Sequence, residues 1–84
     1  MFIPNSDSIK AKRYVLKSLK DRLRNRFNIS VAETDYHDKW QRASIGVAVV
    51  SNETKHIDSV LENVMNFIYE DYRIQVIDLK KTYL

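Results

Sequence analysis

The spacing of the apolar residues changes along this chain, and that change constrains the fold more than any other feature. From about residue 9 to residue 27 the apolar side chains recur every three or four positions: Val15, Leu16, Leu19, Leu23 and Phe27. A second stretch, about residues 53–69, repeats this spacing: Ile57, Val60, Leu61, Val64, Phe67 and Ile68. Such spacing is typical of helices that bury one face. We therefore expect two amphipathic helices, with Ser8 as the N-cap of the first and Ser51 or Asn52 as the N-cap of the second.

Outside these helices the apolar spacing falls to two, which is typical of β-strands with one buried face. Residues 29–36 and 40–50 show this alternation and are predicted to form two strands joined by a turn at residues 36–39. Residues 72–79 alternate less regularly and are predicted to form a last strand. Residues 2–3, which precede a proline, have the character of the end of a first strand.

This order of elements predicts a single α+β domain comprising residues 1–84. A strand fragment followed by α-β-β-α-β becomes βαββαβ once the first strand is restored, which is the ferredoxin-like arrangement. Both helices then cover one face of an antiparallel sheet, and the first strand is largely missing. The other face is open and carries small side chains, which suit close packing against another sheet or subunit: Ser30, Ala32, Thr34, Ser44, Gly46 and Ala48.

The first strand of such a sheet is central, and residues 1–3 are too few to fill its place. Its neighbours would then carry unpaired backbone N–H and C=O groups, each at a cost in free energy. We therefore expect a rearranged sheet, a sheet completed by a partner such as a second copy in a homodimer, or a true start ahead of Met1.

The residue types that are missing exclude several classes of function. There is no cysteine, which excludes disulfides, zinc–thiolate sites and cysteine nucleophiles. Gly46 is the only glycine, whereas Walker A, dinucleotide-binding and KH-type loops each need at least two. No apolar run is long enough to span a bilayer, and the chain does not begin with a signal-peptide pattern. We expect a cytoplasmic protein without a membrane partner.

The turn between the two strands holds the one cluster with metal-ligand chemistry, Asp35, His37 and Asp38. Two carboxylates and an imidazole can bind a divalent ion. A hairpin turn attracts the same residue types for local hydrogen bonds, however, and we expect no metal there.

Glu33 and Asp35 are the best candidates for paired carboxylates in acid–base catalysis, because both are predicted on one face of a strand. They could equally be paired with Arg22 or Arg42. No set of nucleophile, base and orienting group can be assembled from the sequence, so we expect a protein that is not an enzyme and uses no cofactor.

Basic residues are concentrated near the N-terminus. Residues 1–30 carry eight basic and two acidic side chains, whereas residues 31–84 carry six basic and nine acidic ones. Five cations of the first helix follow steps of three and four and form what we call the basic stripe: Lys10, Arg13, Lys17, Lys20 and Arg24. Such a stripe is suited to the phosphates of a nucleic-acid backbone. It is equally typical of a solvated face whose long side chains cover the edge of the core.

Trp40, the only tryptophan, is predicted near the same turn as Tyr36 and Arg42. These residues could form a platform on which an unpaired base stacks. The alternative is that Trp40 packs over the turn. The open sheet face lacks the aromatic residues that an RRM uses, so that mode of RNA binding is disfavoured.

Four stretches of the sequence resemble the bacterial YlxP-like family, a domain of unknown function: Ser8–Arg13, Leu19–Glu33, Asp38–Ala43 and Gly46–Ser51. The resemblance covers nearly the whole chain. It implies a ferredoxin-like fold, a cytoplasmic setting and a gene often found among translation and ribosome-maturation factors, with RNA or the ribosome as partner. The family has no established reaction to carry over, and its members begin with further residues that form the first strand.

Residues and resemblance together lead us to expect a non-enzymatic RNA-binding accessory protein of the ribosome or its assembly. The basic stripe, Trp40 and Arg42 would contact the RNA. The alternative is a self-associating protein-interaction module that docks an acidic partner, and a third possibility is a small-molecule sensor.

Overall fold

The computed structural model describes residues 1–4 and 6–82 and has two helices and two strands. In chain order these are α1 (Ile9–Arg26), β1 (Ser30–Asp35), β2 (Ser44–Ala48) and α2 (Thr54–Tyr69). The α+β class is therefore confirmed, with a two-stranded antiparallel sheet.

Helix α1 forms where its apolar stripe predicts it. The hydroxyl of Ser8 accepts a hydrogen bond of 3.0 Å from the backbone N–H of Ala11, so the predicted N-cap is confirmed. Leu16, Leu19 and Leu23 are fully buried along its inner face.

Helix α2 also forms as predicted, but its predicted cap is wrong. Glu53 occupies the N-cap position and its side chain makes no capping hydrogen bond. The hydroxyl of Ser51 instead accepts from the backbone N–H of Glu53 at 3.2 Å, which fixes the turn before the helix rather than the helix end. The stability of α2 thus rests on packing of its apolar face, where Val64 and Ile68 are buried.

Strands β1 and β2 pair antiparallel, with Val31 opposite Val47 and Ala32 opposite Gly46. The register shifts between Glu33 and Asp35, so the strict alternation that would place both carboxylates on one face is broken. The open face is confirmed, because its small side chains are exposed or half-buried: Ser30, Ala32, Thr34, Ser44, Gly46 and Ala48.

Residues 1–3 extend the sheet beyond β2, but only through single bridges. Phe2 bridges Arg42 on one side and Gln75 on the other. The backbone N–H and C=O of Phe2 both bond to Gln75 at 2.7 Å, and on the other side the N–H of Ala43 donates to the carbonyl of Met1 at 3.1 Å.

The predicted last strand, residues 72–79, is not formed, and that prediction is wrong. Within residues 72–79, Gln75 alone forms a β-bridge, through its two backbone hydrogen bonds with Phe2. A strand needs a continuous partner for its backbone groups, whereas Phe2 alone pairs with this segment. Ile77 and Leu79, which break the alternation, are exposed.

One apolar core joins both helices to the inner face of the sheet. Its buried members come from α1, β1 and α2, from the residue before β2 and from both terminal segments: Ile3, Leu16, Leu19, Leu23, Val31, Ala43, Val64, Ile68 and Ile74. The rings of Phe27 and Phe67 meet edge to face at 6.0 Å, which joins the end of α1 to α2.

Candidate nucleic-acid interface

Helix α1 carries the basic stripe on its outer side. The stripe lies beside the buried leucines of the same helix, so its side chains face away from the core. Four of the five side chains are exposed and Lys20 is half-buried: Lys10, Arg13, Lys17, Lys20 and Arg24. Lys10 and Arg13 make no hydrogen bond or ion pair with any residue that the structure describes. These two cations at the start of the helix are therefore free to meet an anion.

The other half of the stripe is partly neutralised by Asp21. The ammonium of Lys17 lies 2.7 Å from the Asp21 carboxylate, and the guanidinium of Arg24 lies 3.9 Å from it. The hydrogen bond from Lys17 is the main reason that the pKa of Asp21 is lowered. Arg24 also donates to the carbonyl of Val31 at 2.6 Å, so it helps to hold β1 against α1.

Two further arginines of α1 lie over an aromatic ring of α2 while they remain exposed. The guanidinium of Arg22 lies 5.0 Å above the ring of Phe67, and that of Arg26 lies 5.5 Å above the same ring. Arg22 also lies 3.8 Å from the buried carboxylate of Asp71. Their charge belongs to the packing of α1 against α2.

Lys12 is buried, a role that was not predicted from the sequence. Its side chain is only 1% exposed; its ammonium donates to the carbonyl of Tyr36 and lies 3.1 Å from the Glu33 carboxylate. The predicted pairing of Glu33 with Arg22 or Arg42 is therefore wrong. The signal was present, because Lys12 stands four residues before Leu16 on the apolar face.

This buried contact fixes the loop between β1 and β2. Tyr36 has a positive φ of 62°, a conformation that costs a non-glycine residue on the order of 1 kcal/mol or more. The Asp35 carboxylate accepts from the backbone N–H of Tyr36 at 2.7 Å, and the N–H of Lys39 donates to the Tyr36 carbonyl at 3.1 Å. With the ammonium of Lys12, these contacts hold the turn in place.

Arg42 is brought to Tyr36, since its guanidinium lies 5.0 Å above that ring. Two of the three residues predicted as a stacking platform, Arg42 and Tyr36, thus form a cation–π pair with each other. The side chain of Trp40 remains 56% exposed.

Trp40 lines an open groove of about 550 Å³ that we call the Trp40 groove: Pro4, Ser6, Asp7, Lys39, Trp40, Gln41 and Arg42. The side-chain amide of Gln41 donates to the carbonyl of Pro4 at 3.1 Å and so joins its two walls. Because Asp7 directly precedes the N-cap of α1, the groove lies at the end of the helix where Lys10 and Arg13 are found.

The residues predicted to have metal-ligand chemistry are exposed in this loop. Asp35 is used by the turn at Tyr36. Within the described part of the chain, no group of three or more His, Cys, Asp or Glu side chains is placed to hold a metal ion. Over the same residues, neither helix combines the length and the apolar character needed to cross a membrane.

A second feature, the strand slot, is a cavity of about 210 Å³ between β2 and residues 76–82. Apolar side chains of β2, α2 and the last segment line it: Ile45, Val47, Leu61, Val64, Met65, Ile68, Val76 and Leu79. Met1 closes one end, where its ammonium donates to the carbonyl of Ala43 at 2.6 Å. Burial, followed by the charge of Arg42, lowers the pKa of this ammonium.

Comparison with known proteins identifies the family of this chain. The model of a protein family of unknown function, DUF503, matches residues 1–81. This chain belongs to the DUF503 family. It is also similar to the uncharacterized protein YlxP of the bacterium Bacillus subtilis (strain 168), with 42% identity over 66 residues, which are 79% of this chain and 72% of that protein. No solved structure matches the chain. The YlxP-like resemblance predicted from the sequence is thus confirmed.

Proposed function

We propose that this DUF503 protein is a non-enzymatic, cytoplasmic RNA-binding accessory protein that acts on the ribosome or its precursors. The observation that carries the proposal is the free, exposed pair Lys10 and Arg13 at the end of α1 where Trp40 is exposed. Phosphate contacts supply affinity, whereas a stacked base adds contact without adding charge. The Trp40 groove adjoins the start of α1, because Asp7 lines it and directly precedes the N-cap Ser8.

The local charge supports this proposal. A folded domain gains little from an uncompensated cationic helix face, because like charges along a helix repel. Asp21 offsets Lys17 and Arg24, whereas Lys10 and Arg13 form no ion pair with any acidic residue that the structure describes. An RNA backbone would supply the missing negative charge and release its bound counterions.

The experiment that tests the ribosomal partner is co-sedimentation with ribosomal subunits on sucrose gradients at low and moderate salt. We expect the wild-type chain to migrate with a subunit fraction, and Lys10→Gln/Arg13→Gln to be largely lost from it. The matched control is Lys55→Gln/Lys81→Gln, which removes the same charge from exposed positions outside α1. Equal migration of both variants would contradict the proposed role of α1.

A second candidate function, self-association, is favoured by the strand slot. Phe2 forms single bridges to Arg42 and to Gln75. These bridges support a ferredoxin-like βαββαβ sheet, in which the first strand is central. We propose that the chain has this ferredoxin-like fold. An added strand, which a second copy could supply, would complete its sheet. Sedimentation velocity at several concentrations tests the homodimer, and a monomer at all of them would contradict it.

A further inference from the structure

The Trp40 groove contains a side chain that phosphate binding does not explain. Asp7 is exposed and lines the groove together with the cations Lys39 and Arg42. Even so, its carboxylate forms neither a hydrogen bond nor an ion pair with any residue in the described ranges 1–4 and 6–82. A carboxylate repels phosphate, so at this end of α1 it lowers the affinity for a nucleic-acid backbone. Because it is exposed and has no partner among the described residues, it is available to accept hydrogen bonds from a ligand.

The exposed ring of Trp40 favours an unpaired base as the ligand that presents such donors. An unpaired base that stacks on an aromatic side chain leaves its Watson–Crick edge free for hydrogen bonding to groups beside the ring. The side-chain amide of Gln41 donates to the carbonyl of Pro4. Among the described residues that line the groove, Asp7 alone carries a carboxylate, the acceptor that can take two hydrogen bonds side by side.

The four RNA bases differ in the donors that they offer to a carboxylate. Guanine presents two adjacent donors, N1–H and N2–H, that match the two carboxylate oxygens. Adenine and cytosine each offer one amino group next to an acceptor nitrogen, which a carboxylate repels. Uracil offers one N–H between two carbonyl oxygens. A carboxylate beside a stacked ring therefore favours guanine over the other three bases.

We propose that the Trp40 groove binds an unpaired guanine, which stacks on Trp40 and donates its N1–H and N2–H groups to Asp7. This inference rests on the proposed RNA-binding function and adds a base preference to it. The phosphates on either side of the guanine would lie toward Lys39 and toward the start of α1. In this arrangement the carboxylate sets specificity, while the cations set affinity.

The test uses the intrinsic fluorescence of Trp40, which reports on this groove alone because the chain has one tryptophan. The full chain is titrated with single-stranded RNA pentamers that differ only in the central base: UUGUU, UUAUU, UUIUU and UUUUU. We expect UUGUU to bind about tenfold more tightly than UUAUU. The inosine pentamer, which keeps N1–H and lacks the N2 amino group, is expected to lie between them.

The variant Asp7→Asn removes the bidentate acceptor, and Asp38→Asn is its control, because it removes the same charge from an exposed position in the β1–β2 loop that does not line the groove. We expect Asp7→Asn to abolish the preference for guanine while it keeps or raises the affinity for UUUUU. Asp38→Asn should keep the preference. Equal affinity for UUGUU and UUAUU, or a preference that survives Asp7→Asn, would overturn the inference and leave RNA binding standing. Loss of affinity for every pentamer at low salt would count against the proposed function itself.

Discussion

The substitution Lys12→Met tests whether a buried ion pair holds the loop that carries Trp40. Methionine keeps most of the length and apolar stem of lysine, so it fills the same space between α1 and β1. It removes the ammonium that donates to the Tyr36 carbonyl and lies 3.1 Å from the Glu33 carboxylate. The Tyr36 carbonyl keeps its bond from Lys39, but Glu33 loses its counter-charge.

The expected loss follows from the burial of the two side chains. Removing one partner of a buried ion pair costs about 3–5 kcal/mol, because the remaining charge is left without compensation. The Glu33 side chain is 15% exposed, which places the expected cost near the lower end, about 3 kcal/mol. In a domain of this size each kcal/mol shifts Tm by about 4–8 °C, so we expect a fall of roughly 12–24 °C.

The double variant Lys12→Met/Glu33→Gln separates charge from packing. Because it removes the stranded carboxylate, we expect it to be more stable than Lys12→Met alone and about 1 kcal/mol less stable than the wild type. Lys17→Met, which breaks the exposed pair with Asp21, should leave Tm within error.

The assay is thermal and urea denaturation followed by far-UV circular dichroism. A Lys12→Met protein whose free energy of unfolding lies within about 1 kcal/mol of the wild type would show that the Lys12–Glu33 pair does not hold the loop. So would a double variant that is no more stable than the single one.

Three further predictions concern other contacts. The hydrogen bond from Arg73 is the main cause of the lowered pKa of Asp71. Because the pKa is lower in the folded state than the unfolded value of 3.8, the ionised carboxylate stabilises the fold above that pH. This stability is lost as the pH falls through the folded-state pKa. Urea denaturation should therefore show stability falling below about pH 4, and Asp71→Asn should flatten that fall. A Cβ on Gly46 would lie 2.9 Å from the Thr34 methyl, so Gly46→Ala should cost about 1 kcal/mol in thermal denaturation, and the cost should disappear in a Thr34→Ser background. Trp40→Ala should weaken RNA binding without changing its salt dependence or Tm, because the ring is largely exposed; a lowered Tm would show that Trp40 is structural instead.

Both helices could be predicted from the sequence because apolar spacing is a local property. The Ser8 cap was predictable for the same reason, since it needs only a hydroxyl three residues before a free N–H. The last strand was not predictable in this way. Its existence depends on a partner far away in the sequence, and Phe2 supplies pairing for Gln75 alone.

The position of the basic residues on α1 could be predicted from the sequence. The partners of their charged side chains could not. Counting cations places Arg22 and Arg26 among the basic residues of α1, whereas the structure places both above the Phe67 ring. The burial of Lys12 could have been inferred from its four-residue distance to Leu16. Its partner could not, because the register shift after Glu33 is a property of the paired strands rather than of either one.

If α1 binds the RNA backbone through its free cations, as we propose, the affinity for RNA depends steeply on salt concentration. Fluorescence anisotropy of labelled ribosomal RNA fragments at several salt concentrations gives the slope of log affinity against log salt. Each phosphate contact adds about 0.7–0.9 to that slope, so Lys10→Gln/Arg13→Gln should reduce it by about 1.4–1.8, and Lys55→Gln/Lys81→Gln should leave it unchanged. Undetectable affinity of the wild type at low salt, or one slope shared by the wild type and Lys10→Gln/Arg13→Gln, would contradict the claim.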